Sequence, residues 1–199
     1  IGNNVSSSNS GISIGNSNST SISGIAIGRS SSASRSSVAI GSSNSTDNGN
    51  IAIGKNNIST SYYGVNVAIG FGNTAKDYTV AIGYENSGNG RFGNMITVGY
   101  RNTGNNHKGT IFGRDNTGNN SSSGGSDVTI FGRNNKNNTS GTGITTSGSV
   151  RIFGSYNDNN AASHIFGSGN DNNQQVNIFG NSNDGSADGN GGYIYGSGN

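Results

Sequence analysis

Residues 50–60 read NIAIGKNNIST, and inside them Ile51-Ala52-Ile53-Gly54 places an apolar–alanine–apolar–glycine tetrad ahead of a polar run. The tetrad recurs. With its closing glycine as marker the chain gives Gly2, Gly15, Gly28, Gly41, Gly54, Gly70, Gly83, Gly99, Gly113, Gly132, Gly154, Gly167, Gly180 and Gly196. The intervals are 13, 13, 13, 13, 16, 13, 16, 14, 19, 22, 13, 13 and 16 residues. A unit of thirteen with occasional insertions is the mark of a solenoid, in which each coil buries its apolar residues only by stacking on its neighbours. Thirteen residues hold two short strands and two turns. Fourteen coils at about 4.8 Å per stacked strand predict a rod on the order of 65 Å long. The expected fold is therefore all-β, a parallel β-roll or β-solenoid of about fourteen coils forming one domain over 1–199. AIG-type coils occupy 1–104, and IFG/IYG-type coils with longer loops occupy 105–199.

Composition agrees with this reading. The 199 residues include 36 glycines and no Pro, Cys, Trp or Leu. Scarce Glu and Lys with abundant Ser, Asn and Gly disfavour helices. Ile, Val and Phe total 36 residues, a share low enough to suggest disorder. Disorder, however, usually comes with high net charge, and here the formal charge is +2. The few apolar residues are strictly spaced, which reads as a thin core. Eleven cations against nine anions do not make the dense basic patch that nucleic acid requires. No apolar run approaches the roughly 20 residues of a membrane span. The absence of cysteine suits a surface or extracellular protein. The opening at Ile1, without Met and inside a repeat, reads as a fragment whose targeting and anchoring segments lie outside it.

Asn stands three places after the marker in twelve coils, at Asn18, Asn44, Asn57, Asn73, Asn86, Asn102, Asn116, Asn135, Asn157, Asn170, Asn183 and Asn199. Asn tolerates the left-handed backbone region and bonds its own turn, so these are expected turn residues whose amides can ladder along the rod. Five places after the marker the residue is usually small (Thr20, Ala33, Thr46, Ser59, Ala75, Gly88, Gly104, Gly118), which suits a tightly packed second strand.

Strand side chains alternate faces. In Val38-Ala39-Ile40-Gly41 the alternation sends Val38 and Ile40 one way and Ala39 the other. In Val128-Thr129-Ile130-Phe131-Gly132 it puts Val and Ile on one face and Phe on the opposite one. A strand apolar on both faces reads as buried on both, yet a coil this small has one interior. The second face is expected to meet another copy of the chain. The core or inter-chain packing set is Ile25, Ile27, Val38, Ala39, Ile40, Ile51, Ala52, Ile53, Val67, Ala68, Ile69, Val80, Ala81, Ile82, Ile130, Phe131, Ile152, Phe153, Ile165, Phe166, Ile178 and Phe179.

The stretches SVAIGSSNST, NIAIGKNNIST, NVAIGFGNTA and TVAIGYENSG resemble the head repeats of trimeric autotransporter adhesins, the YadA-like heads. They share the (V/I)-A-I-G tetrad, the following Asn and a small residue two places later. The likeness is closest over residues 12–104 and passes into IFG and IYG variants from residue 110. It implies a left-handed roll, although parallel crossovers are generally right-handed, and a homotrimer at the bacterial cell surface, anchored in the outer membrane by segments absent from this fragment. It further implies adhesion to a host cell-surface protein, such as an immunoglobulin-like receptor of the carcinoembryonic-antigen-related class, or to a matrix protein. A phage tail-fibre-type receptor-binding solenoid is the alternative.

Catalytic constellations are wanting. His107 and His164 lie in different coils without ligand-like spacing, and the Asp residues fall out of register for calcium-binding repeats. The chain is expected to be no enzyme and to hold no cofactor or metal. Binding side chains are more evident. The residue after each marker in the middle coils is Lys55, Phe71, Tyr84, Tyr100, Arg114 and Arg133, an expected aromatic and basic stripe. Arg101 stands beside it, and the insertions add Tyr62, Tyr63, Arg91 and Phe92, followed by long loops around 121–127 and 136–148. Tyr and Arg are the side chains that most often anchor interfaces.

Overall fold

The computed structural model describes residues 1–199 except 62–63, 91–92, 106–107, 121–126, 140–148, 160–163, 173–175 and 186–191. Among the described residues every strand is parallel, and the chain alternates between two sheets. The first sheet runs from Gly2–Asn3 through strands such as Val38–Ser42, Thr79–Tyr84 and Asp127–Arg133 to Gly192–Ser197, fourteen strands in chain order. The second runs from Ser6–Ser7 to Asp171–Asn172 and has twelve. This is a β-solenoid.

The marker glycines set its register. Gly70 pairs with Gly83, and Gly180 with Gly196. The longer intervals keep the same alignment: Gly54 opposes Gly70, Gly113 opposes Gly132, and Gly132 opposes Gly154. The extra residues fall between a second-sheet strand and the next first-sheet strand, as between Lys136–Thr139 and Val150–Ser155. The loops expected around 121–127 and 136–148 lie largely outside the described residues.

Register decides which face is inside. One interior column runs Ala26, Ala39, Ala52, Ala68, Ala81, Thr97, Ile111, Ile130, Ile152, Ile165 and Ile178, all fully buried. Small Ala faces inward in the first half and bulky Ile in the second. The second sheet compensates at the change. Its inward residues are Ala33, Thr46, Ser59 and Ala75 opposite the Ala column, then Gly88, Gly104 and Gly118 where the interior side chains grow, and the buried Asn137, Asn159 and Asn172 beside the later Ile residues. Met95 bridges the change, filling the space beside Gly88 and Gly104, where a Cβ would collide with Thr79 or with Met95 itself. The main apolar cluster is Met95, Ile111, Val128, Ile130, Val150, Ile152, Ile165 and Ile178. In the first half a second inward column is polar and pairs with itself. Asn50 Oδ1 accepts the Asn66 backbone N–H (2.8 Å), and Asn66 Oδ1 accepts that of Thr79 (2.7 Å).

Of the expected packing set, Ala39, Ala52, Ala68, Ala81, Ile130, Ile152, Ile165 and Ile178 thus fill the coil. Ile25, Ile27, Val38, Ile40, Ile51, Ile53, Val67, Ile69, Val80, Ile82, Phe131, Phe153, Phe166 and Phe179 alternate outward, and none of them is buried.

The asparagines require a correction. The left-handed residue is the one before each: Ser43, Asn56, Glu85, Arg101, Asp115, Asn134 and Tyr156 carry φ of 56, 57, 51, 49, 56, 53 and 59°. The ladder Asn itself is buried inside the turn. Asn73 Nδ2 donates to the Ile69 and Gly83 carbonyls (2.9 and 2.7 Å) and to Asn57 Oδ1 (3.1 Å). Its Oδ1 accepts from the backbone and side-chain N–H groups of Asn86 (2.9 and 3.1 Å). The amide ladder therefore exists, as a buried polar spine whose members also bond their own turn.

Ser31 interrupts this spine. Its hydroxyl only reaches the Gly41 carbonyl at 3.3 Å and receives the Asn44 backbone N–H at 3.4 Å. Replacing Ser31 by Asn restores a donor pair at this level, and a stabilisation of about 1 kcal/mol is expected. Chemical denaturation of the two proteins, with unchanged slope, reads that gain.

Candidate functional site

The stripe expected from sequence is real as geometry. Register aligns Ser42, Lys55, Phe71, Tyr84, Tyr100, Arg114 and Arg133 on successive strands. Each stands two residues beyond the outward Ile, Val or Phe, so alternation puts all of them on the outer face of the first sheet, next to the turn into the second. The rings of Phe71 and Tyr84 stack at 5.0 Å between centroids and 8° between planes, and those of Tyr84 and Tyr100 at 4.9 Å and 7°. Lys55 Nζ lies over Phe71 (5.5 Å) and the Arg101 guanidinium over Tyr100 (4.8 Å). Parallel strand spacing forces this: identical positions about 4.8 Å apart leave rings no better arrangement than stacking.

Stacking has a chemical consequence. Each ring covers the faces of its neighbours, so the stripe offers ring edges, the electropositive part of the aromatic quadrupole. Lys55, Arg101, Arg114 and Arg133 add positive charge. Two carboxylates moderate it: Asp115 accepts from Arg101 (2.7 Å) and lies 3.3 Å from Arg114, while the charge of Glu85 pushes the Tyr84 phenol above its ordinary value. The hydrogen bond and charge of Asp115 hold Arg101 more firmly protonated. Tyr62, Tyr63, Arg91 and Phe92 lie outside the described residues, as does His107.

Beside the stripe runs the apolar face. One outward column is Ile14, Ile27, Ile40, Ile53, Ile69, Ile82 and Val98, continued by Phe112, Phe131, Phe153, Phe166, Phe179 and Tyr195. The six rings stack at 5.0–5.2 Å with interplanar angles of 4–10°. Phe131 and Phe166 remain 38% exposed. A second outward column runs Ile12, Ile25, Val38, Ile51, Val67, Val80 and Ile96, then turns polar at Thr110, Thr129, Arg151 and His164. There partial burial, with Arg151 on the adjacent strand, lowers the His164 pKa. An apolar column continuous along a whole sheet differs from singly scattered exposed residues and marks an interaction face.

Sequence reasoning missed a third feature. At the turn between the sheets, three successive coils form a cavity of about 400 Å³ lined by Asp115, Thr117, Asn134, Lys136, Tyr156, Asn157 and Asp158. Positions two and four after the marker line it, with the ladder residue Asn157, and in the sequence they look like unremarkable turn residues. Tyr156 is the one available signal, being the only aromatic among the left-handed residues that precede the ladder asparagines. Among the described residues no group of three His, Cys, Asp or Glu is placed to hold a metal ion, and no helix is long and apolar enough to cross a membrane. Comparison with protein-family models, with curated proteins and with solved structures found no match.

Proposed function

We propose that this chain is the non-enzymatic head of a trimeric bacterial surface adhesin, in which three copies join through the outer faces of their first sheets. The carrying observation is that the coil interior is already closed by the Ala and Ile column, while the opposite face of the same sheet carries one Ile, Val and Phe column along the rod and a second apolar column over its first half. Free energy is gained by removing those Val, Ile and Phe side chains from water, and a second surface of the same kind offers the complementary pleat. The Lys55–Arg133 stripe then lies at the edge of the interface, the aromatic and charged rim of an apolar centre. It is the surface left for a host receptor or matrix protein, and its edge-on rings and surplus cations suit an acidic protein face. The resemblance of the AIG repeats to YadA-like heads supports the same reading.

Light scattering at two protein concentrations tests the assembly. A mass of three chains at both is expected, and a monomer at both sinks the trimer. Binding to immunoglobulin-like receptor ectodomains and matrix proteins tests the adhesin half. Tyr84→Ser and Arg101→Ser should each weaken a positive response at least tenfold. Silence across the panel, or binding indifferent to both variants, refutes the stripe.

A further inference from the structure

We infer that the cavity at the sheet-to-sheet turn is a glycan-binding site that takes an acidic pyranose, with the sugar ring against Tyr156, its carboxylate on Lys136 and its hydroxyls on Asp158. The cavity, about 400 Å³, falls within the range of small-ligand sites. Its lining spans three coils, two inter-strand spacings or about 10 Å, which suits one or two sugar rings.

The lining has the chemistry that a sugar demands. A pyranose presents an apolar C–H face and a rim of hydroxyls, so its sites combine an aromatic wall with fixed donors and acceptors. Tyr156 supplies the wall. Its side chain is held by the Arg133 guanidinium, 5.0 Å from the ring centroid, and it remains 54% exposed. Unlike Phe71, Tyr84 and Tyr100, it belongs to no ring stack among the described residues: its register neighbours in the turn are Asn134 and Gly169. It also occupies a left-handed backbone position with φ of 59°, filled elsewhere mostly by Ser, Asn or Gly. A bulky ring there costs conformational energy, and such strain concentrates at functional positions.

The polar groups divide into spent and available. Asn157 is spent: Nδ2 donates to Asn135 Oδ1 (2.9 Å) and the Gly167 carbonyl (2.9 Å), while Oδ1 accepts from Asn170. Asp115 is held by Arg101 and Arg114. Asp158 Oδ1, by contrast, is buried with no hydrogen-bond partner among the described residues. The Asp158 carboxylate lines the cavity and offers an acceptor to hydroxyl donors. Lys136 makes no ion pair with the described residues. Around the cavity, Arg101, Arg114, Arg133 and Lys136 outnumber Asp115, Asp158 and Asp171, which favours an anionic sugar over a neutral one. The remaining lining groups, Thr117 and Asn134, can donate to or accept from its hydroxyls.

This inference deepens the adhesin reading by naming a receptor chemistry, but the cavity lies within a single chain. A monomer by light scattering would leave it standing, and a trimer would not establish it. The test is saturation-transfer NMR and calorimetric titration of the chain with the methyl glycosides of glucuronic acid and N-acetylneuraminic acid, beside neutral methyl glucoside. At least one acidic glycoside is expected to bind tenfold more tightly than the neutral one. Lys136→Gln should erase that preference, and Tyr156→Ala should abolish binding, with circular dichroism and melting temperature showing both variants folded. No binding of any probe, equal binding of acidic and neutral probes, or affinities unchanged in both folded variants would overturn the proposal.

Discussion

Gly83→Ala is expected to unfold the centre of the rod, at a cost of about 4 kcal/mol or more. Gly83 has φ of +122°, and a Cβ built on it falls inside the contact radius of the Gly99 carbonyl oxygen on the next strand, and within 3.0 Å of Asn86 Nδ2. The obstacle is backbone in register on both sides, so it cannot swing away as a side chain would. Shifting it breaks the coil-to-coil hydrogen bonds, including that of the Arg101 N–H to the Tyr84 carbonyl (2.8 Å). Gly49→Ala is the control. Gly49 also has positive φ (+77°), but its Cβ would meet nothing within 4 Å, so only the conformational term of about 1–2 kcal/mol remains. Thermal and urea unfolding of the two variants separate the effects. Equal losses would mean that the marker glycines serve backbone freedom alone and that close stacking is not what excludes a side chain.

The second large effect lies in the amide spine. Asn86 is fully buried. Its Nδ2 donates to the carbonyls of Ile82 (2.9 Å) and Gly99 (2.8 Å) and to Asn73 Oδ1 (3.1 Å). Its Oδ1 accepts the backbone and side-chain N–H groups of Asn102 (both 3.0 Å). Asn86→Ala leaves those partners unsatisfied in a site too tight to hydrate, and about 3–5 kcal/mol of stability should go. Asn86→Asp keeps the shape but turns a donor into an acceptor facing two carbonyls, and it adds a buried charge. It should therefore be the worse of the two near neutral pH. Denaturant midpoints of both variants check the order. An aspartate variant as stable as the alanine one would show that the donors, not merely the volume, had been overvalued. Because coils stack only on their neighbours, either lesion should also open the adjoining turns to amide hydrogen exchange before the ends of the rod respond.

Much of this architecture was legible in the sequence. The markers gave the coil, its parallel register and the stripe from Lys55 to Arg133, because each is a local pattern repeated at fixed offset. The alternation in Val38-Ala39-Ile40 also separated two faces correctly, through the period-two geometry of a strand. What it left open was which face closes the coil. Nothing local makes Ala39 rather than Ile40 the interior residue. That follows from the gap between the two sheets, which depends on Ala33 and Thr46 facing the Ala column and on Gly104 facing Met95 and Ile111, residues set by packing across the coil.

The asparagines show the same division. Their recurrence announced a structural role, and the ladder was foreseen. Their burial was not, since a side chain three places after a glycine looks solvated until the turn is known to pass its left-handed bend to the preceding residue. The cavity at Tyr156 lies furthest from the sequence. Asp115, Lys136 and Tyr156 are separated by 21 and 20 residues, and Asp158 acquires meaning only when three coils of unequal length come into register. A repeat determines its own stacking from within, because every unit carries the same instructions. A site made from the places where units differ exists only after stacking has brought those differences together.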